Sequence, residues 1–275
     1  MRLSSLALSA ILSAVVFLGA CASTPCADRL LDQAIAGPQR SEANKARDAA
    51  RHPKETLLFF GLRPDQKVIE IAPGGGWYTE VLAPVLRDKG ELYAAHYPLD
   101  ATPGELKARG RFEDKLKADP AVYSRVKLGS MPVKAGFTDI SVPGGADMVL
   151  TFRNIHNWIE AGHLDDSLKA FYAVLKPGGV LGVEEHRAPA GASLEWINQN
   201  GYVPEAFVIE HAKAAGFELA GRSEVNANPK DTHEHPKGVW SLPPTFAGGD
   251  ADRASFAAIG ESDRMTLKFI KPAKN

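Results

Sequence analysis

Residues Lys67 to Leu86, KVIEIAPGGGWYTEVLAPVL, constrain this chain more tightly than any other stretch. Val68, Ile69 and Ile71 form a short β-branched run, three glycines interrupt it, and Val81, Leu82, Val85 and Leu86 then recur at helical spacing. The pattern predicts a strand, a glycine turn and a helix. Glycines in such a turn let the backbone bend sharply and approach a ligand without Cβ interference, while the first amides of the helix lack partners and face whatever sits beyond them. A nucleotide-like cofactor is the usual occupant, and a plain strand-to-helix turn without ligand is the bland alternative.

The glycine spacing separates the cofactors. A dinucleotide turn, G-x-G-x-x-G, would follow Gly74 and Gly76 with a glycine at 79, where this chain has Thr79. A phosphate-binding loop of the Gly-Lys-Ser/Thr type is excluded because no such triplet follows. What remains is Glu70 at the strand end, then Ala72, Pro73, Gly74, Gly75 and Gly76. This resembles motif I of the class I S-adenosylmethionine-dependent methyltransferases, E/D-x-G-x-G-x-G, with Ala72 in place of the first glycine.

Two further stretches resemble the same superfamily. Asp147 to Phe152 (DMVLTF), running directly into Arg153, Asn154, Ile155, His156 and Asn157, is similar to motif IV, whose loop closes over the cofactor methionine. Leu175 to His186 (LKPGGVLGVEEH) carries the Lys-Pro-Gly-Gly turn that recurs before the fifth strand, and here is expected to end a helix on Leu168, Phe171, Tyr172 and Leu175. The resemblance spans about residues 50 to 272. It implies an α/β, Rossmann-like fold with seven strands in the order 3-2-1-4-5-7-6, mostly parallel, and an antiparallel final strand at Met265 to Lys271. It also implies S-adenosyl-L-methionine as cofactor, held by Glu70, Ala72, Pro73, Gly74, Gly75, Gly76, Tyr78, His96, Ser130, Met131 and Arg153.

Two positions depart from the family. His96 stands at the end of the second strand, about twenty residues after the glycines, where an acid would hold the ribose diol. Ser130 stands where family members often carry the aspartate that holds the adenine amine. Trp77 and Tyr78, directly after the glycines, either pack the helix start or wall the methionine part of the ligand. In the implied sheet order the ends of strands one, four and five lie side by side. That brings His156, Asn157, Glu185 and His186 near the transferred methyl, and makes His156, Asn157 and His186 the candidate catalytic residues. Methyl transfer is a displacement at a sulfonium, so the protein positions the reactants and supplies a base where the acceptor needs one.

With 275 residues, 44% hydrophobic and 24% charged, the chain suits one large α/β domain with additions. A net charge of -1 gives no support to nucleic acid as partner. Leu6 to Phe17 reads as the apolar core of a secretory signal, too short to span a bilayer. Leu18-Gly19-Ala20-Cys21 resembles a bacterial lipobox, which implies a lipid on Cys21 and a membrane-held protein facing the periplasm; a plain signal peptide cleaved after an A-x-A-like site is the alternative. Ala22 after it, by resemblance to enteric lipoproteins, favours the outer membrane. Cys26 then has no partner for a disulfide.

The domains expected are a signal at 1–20, a tether and helical lead-in at 21–50, and a methyltransferase-like domain at 51–275. Residues 226–262, rich in Pro, Gly, Asp and His, are expected as a lid or a disordered loop. The spacing of Asp231, His233 and His235 within it would also suit a metal, although no metal is expected here. More narrowly, PGGGWYTEVLAP and SDRMTLKFIKP resemble a group of bacterial envelope proteins described as predicted methyltransferases. The expectation is an envelope-tethered methyltransferase acting on an unknown small molecule. The alternative is a ligand-binding or catalytically degenerate protein of the same fold. An NAD-linked oxidoreductase is disfavoured by Thr79 and by the missing ribose acid.

Overall fold

The computed structural model describes residues 23–131, 139–250 and 252–273; Cys21 and the apolar run before it lie outside them. Four helices lead in, α1 (Ser23–Ala36), α2 (Glu42–Lys45), α3 (Asp48–Arg51) and α4 (Pro53–Phe60), before β1 (Lys67–Ile71). There follow α5 (Thr79–Leu86), β2 (Glu91–His96), α6 (Pro103–Ala118), α7 (Pro120–Tyr123), β3 (Lys127–Ser130) and β4 (Ala146–Phe152). The second half holds α8 (Ile155–Glu160), α9 (Leu164–Val174), β5 (Leu175–Ala188), α10 (Leu194–Asn200), β6 (Val203–Pro204), α11 (Glu205–Ala214) and β7 (Glu218–Ser223). A 3-10 turn (Gly238–Ser241), α12 (Arg253–Ile259) and β8 (Arg264–Ile270) complete it.

The sheet runs β3-β2-β1-β4-β5-β8-β7, with β6 attached to the end of β5. β1 to β5 are mutually parallel, and β8 is antiparallel to both β5 and β7. Setting aside the two-residue β6, the order is the expected 3-2-1-4-5-7-6. β1 and β4 are central because their side chains are apolar on both faces, as strands covered on both sides must be. Val68, Met148 and Leu150 face a layer built from Leu57, Phe60, Val81 and Leu82. Ile69, Ile71 and Val149 face the opposite layer, with Leu168, Phe171 and Val208.

Three expectations change. The stretch expected as a tether is instead folded on to the domain: Leu31 is wholly buried and packs in the same layer as Val81 and Leu82 of α5. Arg40, just after it, is buried and pairs with Asp48 at 2.6 Å. The Lys-Pro-Gly-Gly turn does not sit between helix and strand. α9 stops at Val174 and β5 begins at Leu175, so the four residues form a bulge inside β5, where pairing jumps from Ala146–Leu175 to Met148–Val180.

The long segment after β7 is pinned. Asp231 accepts from the Tyr202 hydroxyl at 3.0 Å, the His233 and Asp263 amides at 2.9 and 2.8 Å, and His235 Nε2 at 2.8 Å. Asn228 donates to the carbonyls of Ile259 and Glu261. Residues whose composition reads as solvated loop are consumed in satisfying buried backbone, which is why apolar content alone misjudges the segment.

Candidate active site

The glycine turn leaves β1 through Ala72, whose φ of +47° lies in the left-handed region although it is not glycine, and whose amide is held by Ala95 O at 2.8 Å. Gly76 N closes the turn on Pro73 O at 2.9 Å. A Cβ added at Gly74 (φ +58°) or Gly75 would meet nothing within 4 Å, whereas at Gly76 it would lie 2.9 Å from the Phe112 ring. Gly74 and Gly75 therefore border open space that a ligand can enter, and Gly76 is required by packing. The residues present fit a cofactor held against bare backbone.

The side chains around the turn face inward. Glu70 is buried and accepts from Thr79 Oγ1 at 2.6 Å, and burial pushes its carboxyl up to about 7. The threonine that breaks the dinucleotide pattern thus ties the strand to the helix start. His96, expected at a ribose diol, is also turned inward. Its Nδ1 accepts from Tyr97 N at 2.8 Å, so the ring proton is on Nε2, which donates to Gly74 O at 3.2 Å. Burial lowers its pKa and keeps it neutral. With both nitrogens engaged, His96 clamps the turn rather than offering an acceptor to a ligand.

Ser130 is likewise occupied, its hydroxyl and amide bound to Asp139 at 2.7 and 2.6 Å and its Oγ to Arg109 at 3.1 Å. An acid does stand at the end of β3, but it is Asp139, nine residues beyond the expected place. Met131 is buried, with its amide on His96 O at 2.7 Å. The two aromatics after the glycines pack. Tyr78 stacks on Phe152 at 3.6 Å and 12° and donates to Glu184 at 3.2 Å. Trp77 donates to Asn44 O at 3.1 Å beneath the guanidinium groups of Arg40 and Arg51.

At the ends of β4 and β5 the candidate catalytic residues do converge. Asn154 reaches back to Ile71 O at 3.2 Å and so fixes the end of β4 against the end of β1. Arg153, at φ +61°, hydrogen-bonds Glu184 through its backbone amide (2.7 Å) and its Nη1 (2.8 Å). His156 in the first turn of α8 is 7% exposed, with Nδ1 3.0 Å from Glu185 Oε1. Glu185 also accepts from the amides of Ile155 and His186, so its position is fixed. His186 packs 5.4 Å from His156, ring to ring, with Nδ1 on Ser262 Oγ. Burial first, then His156 and three arginines, hold its pKa well below the usual range, so it is neutral.

Arg153, His156, Asn157 and His186 line an open cavity of about 330 Å³, together with Arg47, Arg51, Trp240, Pro243, Pro244 and Glu261. His156, Glu185 and His186 bring possible ligand atoms within 4.8 Å of one another. Glu185 is already saturated by hydrogen bonds, and Arg51, Arg153 and Arg264 raise the local positive potential. The set therefore suits proton transfer better than a cation: a carboxylate orients Nδ1 and leaves Nε2 as the nitrogen available to the cavity. Arg47, Arg51 and Glu261 were invisible as site residues in the sequence, because only the fold brings them within reach of β4 and β5.

No family model matches the chain. It is 29% identical over 140 residues to a protein of Ectopseudomonas mendocina described as "Ubiquinone/menaquinone biosynthesis C-methyltransferase UbiE", spanning 50% of this chain and 49% of that protein. A Shewanella sp. protein of the same description is 28% identical over 137 residues. The chain spans about half the length of the curated relatives it matches. Among solved structures, a SAM dependent methyltransferase from Aquifex aeolicus superposes with a TM-score of 0.54 at 14% identity, over 89% of this chain and 98% of that one. The [4+2]-cyclase SpnF gives 0.56 at 18%, over 90% and 94%. The glycopeptide N-methyltransferase MtfA complexed with S-adenosylmethionine gives 0.51 at 15%, over 82% and 95%. The chain has the fold of the class I S-adenosylmethionine-dependent methyltransferase superfamily.

Proposed function

We propose that this chain is an S-adenosylmethionine-dependent methyltransferase acting on a small molecule, and that it works at the bacterial envelope. One observation carries the reading: the open backbone at Gly74 and Gly75 and the His156–Glu185 pair belong to strand ends tied together by the Asn154 bond to Ile71. When bound, the cofactor supplies a methyl group on a sulfonium. The bare amides after β1 would hold its amino-acid end, and Asp139, bound to Ser130, stands at the end of β3 on the expected adenine side. Glu185 holds His156 so that Nε2 can take a proton from the acceptor, and Trp240, Pro243 and Pro244 give the cavity an apolar side. The curated relatives, described as C-methyltransferases of quinone biosynthesis, agree with a small organic acceptor.

The second reading is a binding protein or degenerate enzyme, and the inward-turned His96 favours it, since the usual ribose acceptor is absent there. The fold alone does not decide, because it also hosts a protein described as a cyclase. Labelled S-adenosylmethionine incubated with the full chain and an envelope extract tests the choice. Transfer of label to a small molecule supports the enzyme; tight cofactor binding with no labelled product supports the binder.

The envelope location, shared with the group bearing the PGGGWYTE motif, rests on Leu18-Gly19-Ala20-Cys21. Cys21→Ser is expected to release the protein from the membrane fraction or leave an unprocessed precursor. Recovery at wild-type size in membranes would overturn the lipid anchor.

A further inference from the structure

Around the cavity beside His156 the charges do not balance. Glu261 accepts from Arg47 Nε at 2.7 Å and Arg51 Nε at 3.0 Å, and lies 3.3 Å from Arg264 Nη1. Glu184 takes Arg153 Nη1 at 2.8 Å, Arg264 Nη1 at 2.9 Å and the Tyr78 hydroxyl. Four guanidinium groups thus share two carboxylates. Glu185 adds a third acid, but it is bound to His156 and to backbone amides. Among the described residues the site keeps at least one uncompensated positive charge.

Three of the four arginines, Arg47, Arg51 and Arg153, line the cavity. The side-chain hydrogen bonds of Arg47 and Arg51 run through Nε, so the Nη atoms of these two cavity-lining residues have no carboxylate partner among the described residues. Arg47 Nη2 is buried and has no hydrogen-bond partner among the described residues. A guanidinium offers donors in a planar fork that matches an oxyanion, and a buried donor left unpaired is costly. Val239, Trp240, Pro243 and Pro244 supply the apolar part of the lining. Burial and the neighbouring Arg153 push the Arg51 pKa down to about 9, as expected where positive charge is in excess.

We propose that this cavity is an oxyanion site, taking an acceptor with a carboxylate or phosphate on a small apolar body. The proposal rests on the reading of the cavity as the acceptor side of a methyltransferase. The arginines hold the anionic end and the apolar lining at Trp240 takes the apolar body. A volume of about 330 Å³ suits a molecule of one or two rings.

The test is a calorimetric titration of the full chain in detergent, without cofactor, using benzoate, phenyl phosphate and uncharged benzamide. At least one anion is expected to bind about tenfold or more tightly than benzamide, and to weaken as salt rises. Whichever anion wins distinguishes carboxylate from phosphate. Arg47→Gln, at the partly exposed rim, is expected to remove most of that preference with little change in melting temperature. Saturating S-adenosylhomocysteine should leave the anion bound.

Equal binding of all three probes overturns the proposal on the wild-type protein alone, whatever the variant does. So does a preference that survives Arg47→Gln in a folded protein. Displacement of the anion by S-adenosylhomocysteine also overturns it, since the arginines would then serve the cofactor's own carboxylate. Because the titration needs no cofactor, a failure to bind S-adenosylmethionine at the glycine turn is read separately.

Discussion

The two halves of the candidate site handle buried charge in opposite ways. Beside the glycine turn, Glu70 is buried with a threonine as its hydrogen-bond partner, and its carboxyl rises to about 7. Beside His156, Glu261 is also buried, and burial alone would raise it, but Arg51, Arg264 and Arg47 hold it down to about 2. The same desolvation leaves one acid holding its proton up to about pH 7 and, where arginines surround it, the other an ion down to about pH 2. The turn spends its side chains on holding backbone and offers a ligand bare amides and space. The cavity offers functional side chains.

If that division is right, variants on the cavity side should affect chemistry and variants on the turn side should affect the frame. The largest expected effect is His156→Ala, which should slow methyl transfer by roughly 10²- to 10⁴-fold, the usual contribution of a positioned base, with cofactor affinity nearly unchanged. A drop in cofactor affinity or melting temperature of the same variant, with no separate loss of turnover, would erase the contrast.

On the turn side, His96→Ala removes two hydrogen bonds and opens a hole behind Gly74. The expected cost is about 2 to 4 kcal/mol in denaturant unfolding. Full stability in that variant would mean that the turn does not depend on its clamp.

The smallest effect is a pH dependence. With a folded value near 7 against about 4.5 in the unfolded chain, Glu70 keeps its proton in the folded state where the unfolded state has lost it. Folding then takes up a proton, so stability falls as pH rises from about 4.5 to 7, by up to about 3 kcal/mol. Glu70→Gln should remove this fall and leave the variant more stable than wild type at pH 8. Glu261 acts in the opposite sense, its contribution being lost as pH falls from 4.5 towards 2. Parallel stability curves for wild type and Glu70→Gln would show that the acid is ionised in the folded protein.

Most of the frame was legible because it is local. β1, the turn and α5 follow from twenty consecutive residues, and the antiparallel pair at the end follows from two strands without a crossover helix between them. The convergence of His156 and His186 followed from strand order. What could not be read depends on long-range pairing. Glu184 meets Arg264 eighty residues away, and Arg51 meets Glu261 across 210. Glu185 was legible as a residue near the site, but its bond to His156 required the first turn of α8 to point inward. Leu31 gave no sign of burial because the polar residues around it match a surface tether equally well. His96 could be placed at the end of β2, yet only the Tyr97 amide shows which nitrogen carries the proton.

The central claim is that the bare backbone after β1 is a site for S-adenosylmethionine, and calorimetric titration of the full chain with S-adenosylmethionine, S-adenosylhomocysteine and NAD tests it most directly. Both adenosyl ligands should bind and NAD should not. Gly74→Val, whose side chain would enter the open space at a φ of +58°, should weaken that binding by about a hundredfold or more while the protein stays folded. Binding of NAD in place of the adenosyl ligands, equal affinity in wild type and Gly74→Val, or no binding at millimolar ligand would contradict the account.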